Sequence, residues 1–157
     1  MKLITFTEGG STRVGLLEGD EVVDLRAAGA DAPGEMVDFL AAGEPALEAA
    51  RAAQGAKGAR LALADVRLES PVLRPPKILA VGLNYADHVA ESGMDTPQHP
   101  MIFNKQSTAA HAPYEPFHLP RVSPALDYEG GLAFVIGKRC RHVPRERANE
   151  VIAGYTV

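Results

Sequence analysis

The chain has 157 residues, 46% of them hydrophobic and 23% charged, with a formal net charge of −4. This is enough ordinary globular material for one domain or two small ones, and it excludes a chain disordered throughout. An acidic balance without a long basic run argues against a nucleic-acid surface, and no apolar run approaches membrane-spanning length.

The first residues, M-K-L-I-T-F-T-E, hold too short an apolar core for a signal peptide. A single cysteine, Cys140, lies between Arg139 and Arg141 and has no internal disulfide partner. A reducing, cytoplasmic setting is therefore expected, with Cys140 an inert residue at a strand end.

Three short strands are predicted over residues 2–7, 12–17 and 21–25, broken at Glu8-Gly9-Gly10-Ser11 and by the tight hairpin signature Glu18-Gly19-Asp20. A helix is predicted over 33–42, closed by Gly43, and a second begins at Pro45. The alanine-rich stretch 41–64 reads as helix. Val66-Arg67-Leu68 alternates as a short strand before Ser70-Pro71 and Arg74-Pro75-Pro76, where paired prolines interrupt regular structure. The boundary falls near Pro71, giving a small N-terminal domain over 1–70 and a second over 71–157.

Residues 77–91, K-I-L-A-V-G-L-N-Y-A-D-H-V-A-E, carry the most information. Residues 78–83 read as a strand covered on both faces, Asn84 as a helix N-cap, and Gly93 as the helix stop. His88 and Glu91, three apart, share one face of that helix, so the carboxylate can orient the imidazole and raise its basicity. The pair is either a general base poised to activate water or a surface ion pair.

Downstream, residues 101–105 read as a strand ending in Lys105, and 117–119 as a short extended piece between prolines. The longest strand signal is 126–137, L-D-Y-E-G-G-L-A-F-V-I-G; a helix follows from Pro144 and a last strand from Ala153. In a strand, Asp127, Glu129 and Gly131 would share one face with side chains about 6–7 Å apart. That face is either a pocket wall fit for Mg²⁺ or Mn²⁺ or a solvated edge. Of the histidines, only His111 is kept as a second pocket candidate; His99, His118 and His142 have no His or Cys partner at ligand spacing.

The segments K-I-L-A-V-G-L-N-Y-A-D-H-V-A-E, M-I-F-N-K, L-D-Y-E-G-G-L-A-F-V-I-G-K and V-I-A-G-Y-T-V, in this order, resemble the fumarylacetoacetate hydrolase family, bacterial two-part type. The resemblance covers 71–157 strongly and the N-terminal part more loosely. It implies an α+β chain, a small N-terminal β-meander and helix domain followed by a mixed β-roll catalytic domain, of which 71–157 would be the first part, incomplete at its C-terminus, usually in dimers. It further implies cleavage or rearrangement of small 2-oxo or 1,3-diketo acids, such as acylpyruvates, in the breakdown of aromatic compounds.

In such a scheme a divalent metal, Mg²⁺ or Mn²⁺, chelates the substrate while a His-Glu pair activates water. By resemblance His88 is the general base, Glu91 its orienting partner, Glu129 a metal carboxylate and Lys105 a contact to the anionic substrate. Two departures stand out. The family pattern Y-E-x-E-L reads here Tyr128-Glu129-Gly130-Gly131-Leu132, with Gly131 at the second carboxylate. The third ligand of the family, an aspartate, lies beyond the G-Y-T-V segment, and Val157 ends this sequence. Asp127, one strand step away, is a poor substitute. A hydrolase is expected, against which stand an isomerase or oxo-acid decarboxylase and a catalytically inactive binding protein.

Overall fold

The computed structural model describes residues 1–157. Its first strands form a meander: β1 (Leu3–Glu8), β2 (Ser11–Glu18) and β3 (Glu21–Asp24). Gly9 and Gly10 both take positive φ, 57° and 77°, between paired Glu8 and Ser11. Two such residues twist a two-residue hairpin in the sense that its strands require.

The helices α1 (Met36–Ala42) and α2 (Glu44–Ala53) follow. Glu35, not the region of Pro33, starts α1: its side chain accepts from the N–H groups of Val37 and Asp38. Strands β4 (Arg60–Ala62) and β5 (Arg67–Leu68) complete an antiparallel sheet of order β4-β3-β2-β1-β5. The expected helix over 41–64 therefore ends at Ala53, because Arg60–Ala62 pairs with β3 instead. Non-local pairing overrides local helix propensity here.

The core lies between this sheet and the two helices, with Val14, Leu16, Val23 and Leu25 packed on Met36, Phe39, Ala46, Ala50 and Ala53. On the other sheet face Phe6 and Val22 are fully buried, and the Arg13 guanidinium sits 4.6 Å from the Phe6 ring centroid. Gly15 is obligatory between them, since a Cβ there would stand 2.8 Å from Phe6 Cε1 and 2.9 Å from Val23 O.

Arg13 also binds Asp24 at 2.7 Å and Glu8 at 2.9 Å. Burial alone would raise the Asp24 carboxyl, but the hydrogen bond from Arg13 and the N–H groups of Ala27 and Arg26 outweigh it and hold it below its ordinary value. A carboxylate depressed by folding adds stability above its unfolded pKa, and that stability is lost as pH falls through the folded one. Asp24→Asn is expected to cost about 2 kcal/mol at neutral pH and nothing once the wild-type carboxyl is protonated. Urea titrations at pH 7 and in strong acid check this; an equal cost at both pH values would refute it.

The second part of the chain is built from two separate hairpins. Strands β6 (Ile78–Gly82) and β7 (Met101–Lys105) form one, with α3 (Ala86–Ser92) between them in sequence. Strands β8 (Ala133–Ile136) and β9 (Ile152–Thr156) form the other, bulged at Val135/Ile136. A 3₁₀ stretch over Arg145–Glu150 stands where an α-helix was expected, and residues 117–119 form no strand.

No residue after Glu69 is buried. The expectation that residues 78–83 are covered on both faces is thus corrected: Leu79 is 60% exposed in β6, as are Ile102 (63%) in β7 and Phe134 (58%) in β8. Their apolar character is that of a core, but nothing in these 157 residues packs over them. The α+β architecture stands, and no helix is long and apolar enough to cross a membrane.

Candidate functional site

Strand β6 delivers the chain to α3 through a sharp turn in which Leu83 takes φ 51°, uncommon for a residue with a Cβ. Tyr85, rather than Asn84, is the helix N-cap residue, and its side chain makes no capping bond. Gly93 ends the helix in the left-handed region at φ 65°, as its sequence position implied. His88 and Glu91 lie on one face of α3, both exposed, and no hydrogen bond or ion pair joins them.

Lys105 is exposed at the end of β7 and has no carboxylate partner. Its register partner is Ile78, whereas Gly82, from which the chain runs to α3, pairs with Met101. Four strand residues, roughly 13 Å, separate the two ends. The hairpin therefore does not place the Lys105 backbone beside the start of α3.

Glu129 departs from its expected setting. The predicted strand over 126–137 begins only at Ala133, so Asp127, Glu129 and Gly131 lie in an irregular segment and share no strand face. Two consecutive glycines explain the delay, since each loses more backbone freedom on ordering than any other residue and packs nothing. Asp127 accepts a hydrogen bond from the Tyr128 N–H at 2.8 Å, while Glu129 is exposed and unpaired.

One contact does draw the two regions together. The Leu132 N–H donates to the Tyr85 hydroxyl oxygen at 3.2 Å, tying the start of α3 to the segment that bears Glu129. Sequence reasoning missed Tyr85, because nothing local marks a bond across 47 residues.

The kept candidate His111 lies elsewhere. It stacks on Phe117 with centroids 4.7 Å apart, and its Nδ1 is 2.7 Å from the Ala112 carbonyl oxygen. Together they line a cleft of about 390 Å³ bounded by Ile4, Glu69, Pro71 and Val157. A second, more polar cleft is lined by Glu8, Arg13, Asp24 and Arg26. Neither includes His88, Glu91, Lys105 or Glu129. Cys140 is exposed.

The residues present do not fit a divalent metal. Mg²⁺ and Mn²⁺ need several oxygen donors converging on one point, yet no three His, Cys, Asp or Glu side chains of the chain cluster so. Glu129 is the single carboxylate where the family pattern has two, and Gly131 is the gap. A Cβ at Gly131 would meet nothing within 4 Å, and its φ lies outside the positive region. Gly131→Glu is therefore expected to fold normally and to tighten Mn²⁺ binding at least about tenfold in calorimetry, about 1.4 kcal/mol, with Gly131→Ala as control. Equal affinity in all three proteins would show that position 131 is not the missing donor.

Comparison with known proteins gives these elements a family. Residues 1–71 match the model described as Rv2993c-like, N-terminal. The mitochondrial oxaloacetate tautomerase of Xenopus laevis is 36% identical over 161 aligned residues, covering 100% of this chain and 50% of the frog protein. Maleylpyruvate hydrolase from Sphingobium sp. SYK-6, crystallised with manganese(II) and pyruvate, superposes with a TM-score of 0.77 at 34% identity, over 99% of this chain and 56% of that one. For 5-carboxymethyl-2-hydroxymuconate delta-isomerase from Mycobacterium smegmatis the TM-score is 0.70 at 33% identity, over 99% and 53%. The chain thus spans about half the length of the proteins it matches. Since residues 77–157 match the model for the C-terminal domain of fumarylacetoacetate hydrolase, on a fold shared with members of known structure, the chain belongs to the fumarylacetoacetate hydrolase family.

Proposed function

We propose that the chain forms part of an enzyme that moves a proton at the carbon beside the carbonyl of a small 2-oxo acid, interconverting keto and enol forms. The observation that carries this reading is the placing of His88 and Glu91 on one face of a helix whose N-cap residue, Tyr85, is bonded to the Glu129 segment. His88 takes the proton from the carbon next to the carbonyl, the C–H electron pair becomes the new C=C bond, and the proton passes to the carbonyl oxygen. Glu91, one turn along, lies within reach to hold the imidazole in one tautomer. Lys105, free of any carboxylate partner, stands at the far end of the β6–β7 hairpin from α3, so the positive charge it supplies is for a substrate carboxylate remote from His88. Such a reaction asks least of the donor set present, and the frog relative is named a tautomerase.

A second reading is hydrolytic cleavage of a carbon–carbon bond in an acylpyruvate, favoured by the likeness to maleylpyruvate hydrolase. In that reaction the same His88 would activate water. Incubation with oxaloacetate and, separately, with an acylpyruvate distinguishes the two. Faster keto–enol exchange followed by ultraviolet absorbance, without pyruvate release, is the expected result. Pyruvate release from the acylpyruvate would establish the hydrolase, and neither change would remove both readings.

A further inference from the structure

Residues 118–132 are attached to the rest of the molecule by one hydrogen bond. Within them the Ser123 N–H donates to Pro120 O at 3.3 Å, the Ala125 N–H to Ser123 Oγ at 3.3 Å, and the Leu126 N–H to Pro124 O at 3.1 Å. With the Tyr128–Asp127 bond, these reach no more than three residues along the chain. The exception is the Leu132 N–H, which reaches 47 residues back to the Tyr85 hydroxyl oxygen. Side-chain packing offers no substitute, because Leu126, Tyr128 and Leu132 are exposed and Gly130 and Gly131 have no side chain.

The two ends of this bond lie beside the candidate chemistry. Tyr85 is three residues before His88 and is the N-cap residue of the same helix. Leu132 is three residues after Glu129 and directly precedes β8. We infer that the Tyr85 hydroxyl is a latch that sets where the Glu129–Leu132 segment lies relative to the His88–Glu91 face of α3. Tyr85 is accordingly a positioning residue, which acts through the backbone of Leu132. As the accepting partner, its oxygen keeps its own O–H as a donor for a second group. The inference rests on the function proposed above only for its effect on turnover.

The test is Tyr85→Phe in the full-length protein, which keeps the ring and removes only the acceptor. Amide exchange of residues 126–132, followed by mass spectrometry, is expected to quicken about three- to tenfold while β1–β3 and the melting temperature stay unchanged. With oxaloacetate, kcat is expected to fall about tenfold at unchanged KM, because the lost bond no longer fixes the start of the His88 helix against that segment, and the pH–rate profile to keep its shape, since a latch titrates nothing. Unchanged exchange over 126–132 overturns the latch even if the wild type turns over oxaloacetate. Quickened exchange in a protein whose wild type acts on no oxo acid sustains the latch and removes the proposed function instead. Quickened exchange with an unchanged kcat overturns the positioning role.

Discussion

In the 157-residue chain, backbone amides of β1, β2 and β3 are expected to exchange at least about 10³-fold more slowly than those of β6, β7, β8 and β9. The ratio corresponds to a difference of about 4 kcal/mol in opening free energy. The meander is stabilised by a closed core in which Phe6, Phe39, Leu16, Val14, Val22 and Val23 are essentially inaccessible. Each such side chain contributes about 1.5–3 kcal/mol. The two hairpins of the second part have the same kinds of residue in the wrong place: Leu79, Ile102, Phe134 and Tyr155 all face water. An isolated two-stranded hairpin is marginal at best. Few bonds transmit stability from one part to the other, chiefly Thr5 Oγ1 donating to Pro71 O at 2.8 Å and the Arg67–Glu115 ion pair at 3.7 Å. Equal protection across all nine strands would show that the exposed faces are covered in solution, for instance by association of chains.

His88→Ala is expected to lower kcat for keto–enol exchange of oxaloacetate by about 10²–10⁴. Its stability should stay within about 0.5 kcal/mol of wild type, because His88 is exposed and makes no hydrogen bond. KM should move little, since a general base contributes in the transition state rather than to ground-state binding. Glu91→Gln, which removes an orienting charge and leaves the base, should cost less than His88→Ala. A loss below tenfold for His88→Ala would assign the proton transfer to another group.

How far the sequence could be read depended on whether the deciding interaction was local. The hairpin turns at Gly9-Gly10 and Gly19 and the helix stop at Gly93 are written in one or two residues, and each was legible. Strand β4 was not, because Arg60–Ala62 has no strand signature and becomes a strand only by lying along β3. The strand over 126–137 was overextended for the opposite reason: its alternation is regular, but Gly130 and Gly131 give a neighbour nothing to hold. Residues 78–83 announce burial by composition, and composition is silent on whether the covering surface belongs to the same 157 residues. Among the candidate residues, spacing put His88 and Glu91 on one helix, where the structure has them, whereas Glu129 was put on a strand that begins only at Ala133; the bond from Leu132 to Tyr85 spans a loop that no motif describes.

The confinement of the closed core to the first 69 residues also bears on how the protein is made. Synthesis runs from the N-terminus, and domains fold as units while it proceeds. Every residue of the first core has left the ribosome before β6 does, so the meander can fold before the first of the later hairpins emerges. Until they are covered, those hairpins, with apolar side chains exposed and strand edges open, are the aggregation-prone part of the nascent chain. The part of the chain that carries His88 is therefore the part expected to need protection during synthesis, while the meander before it is already folded.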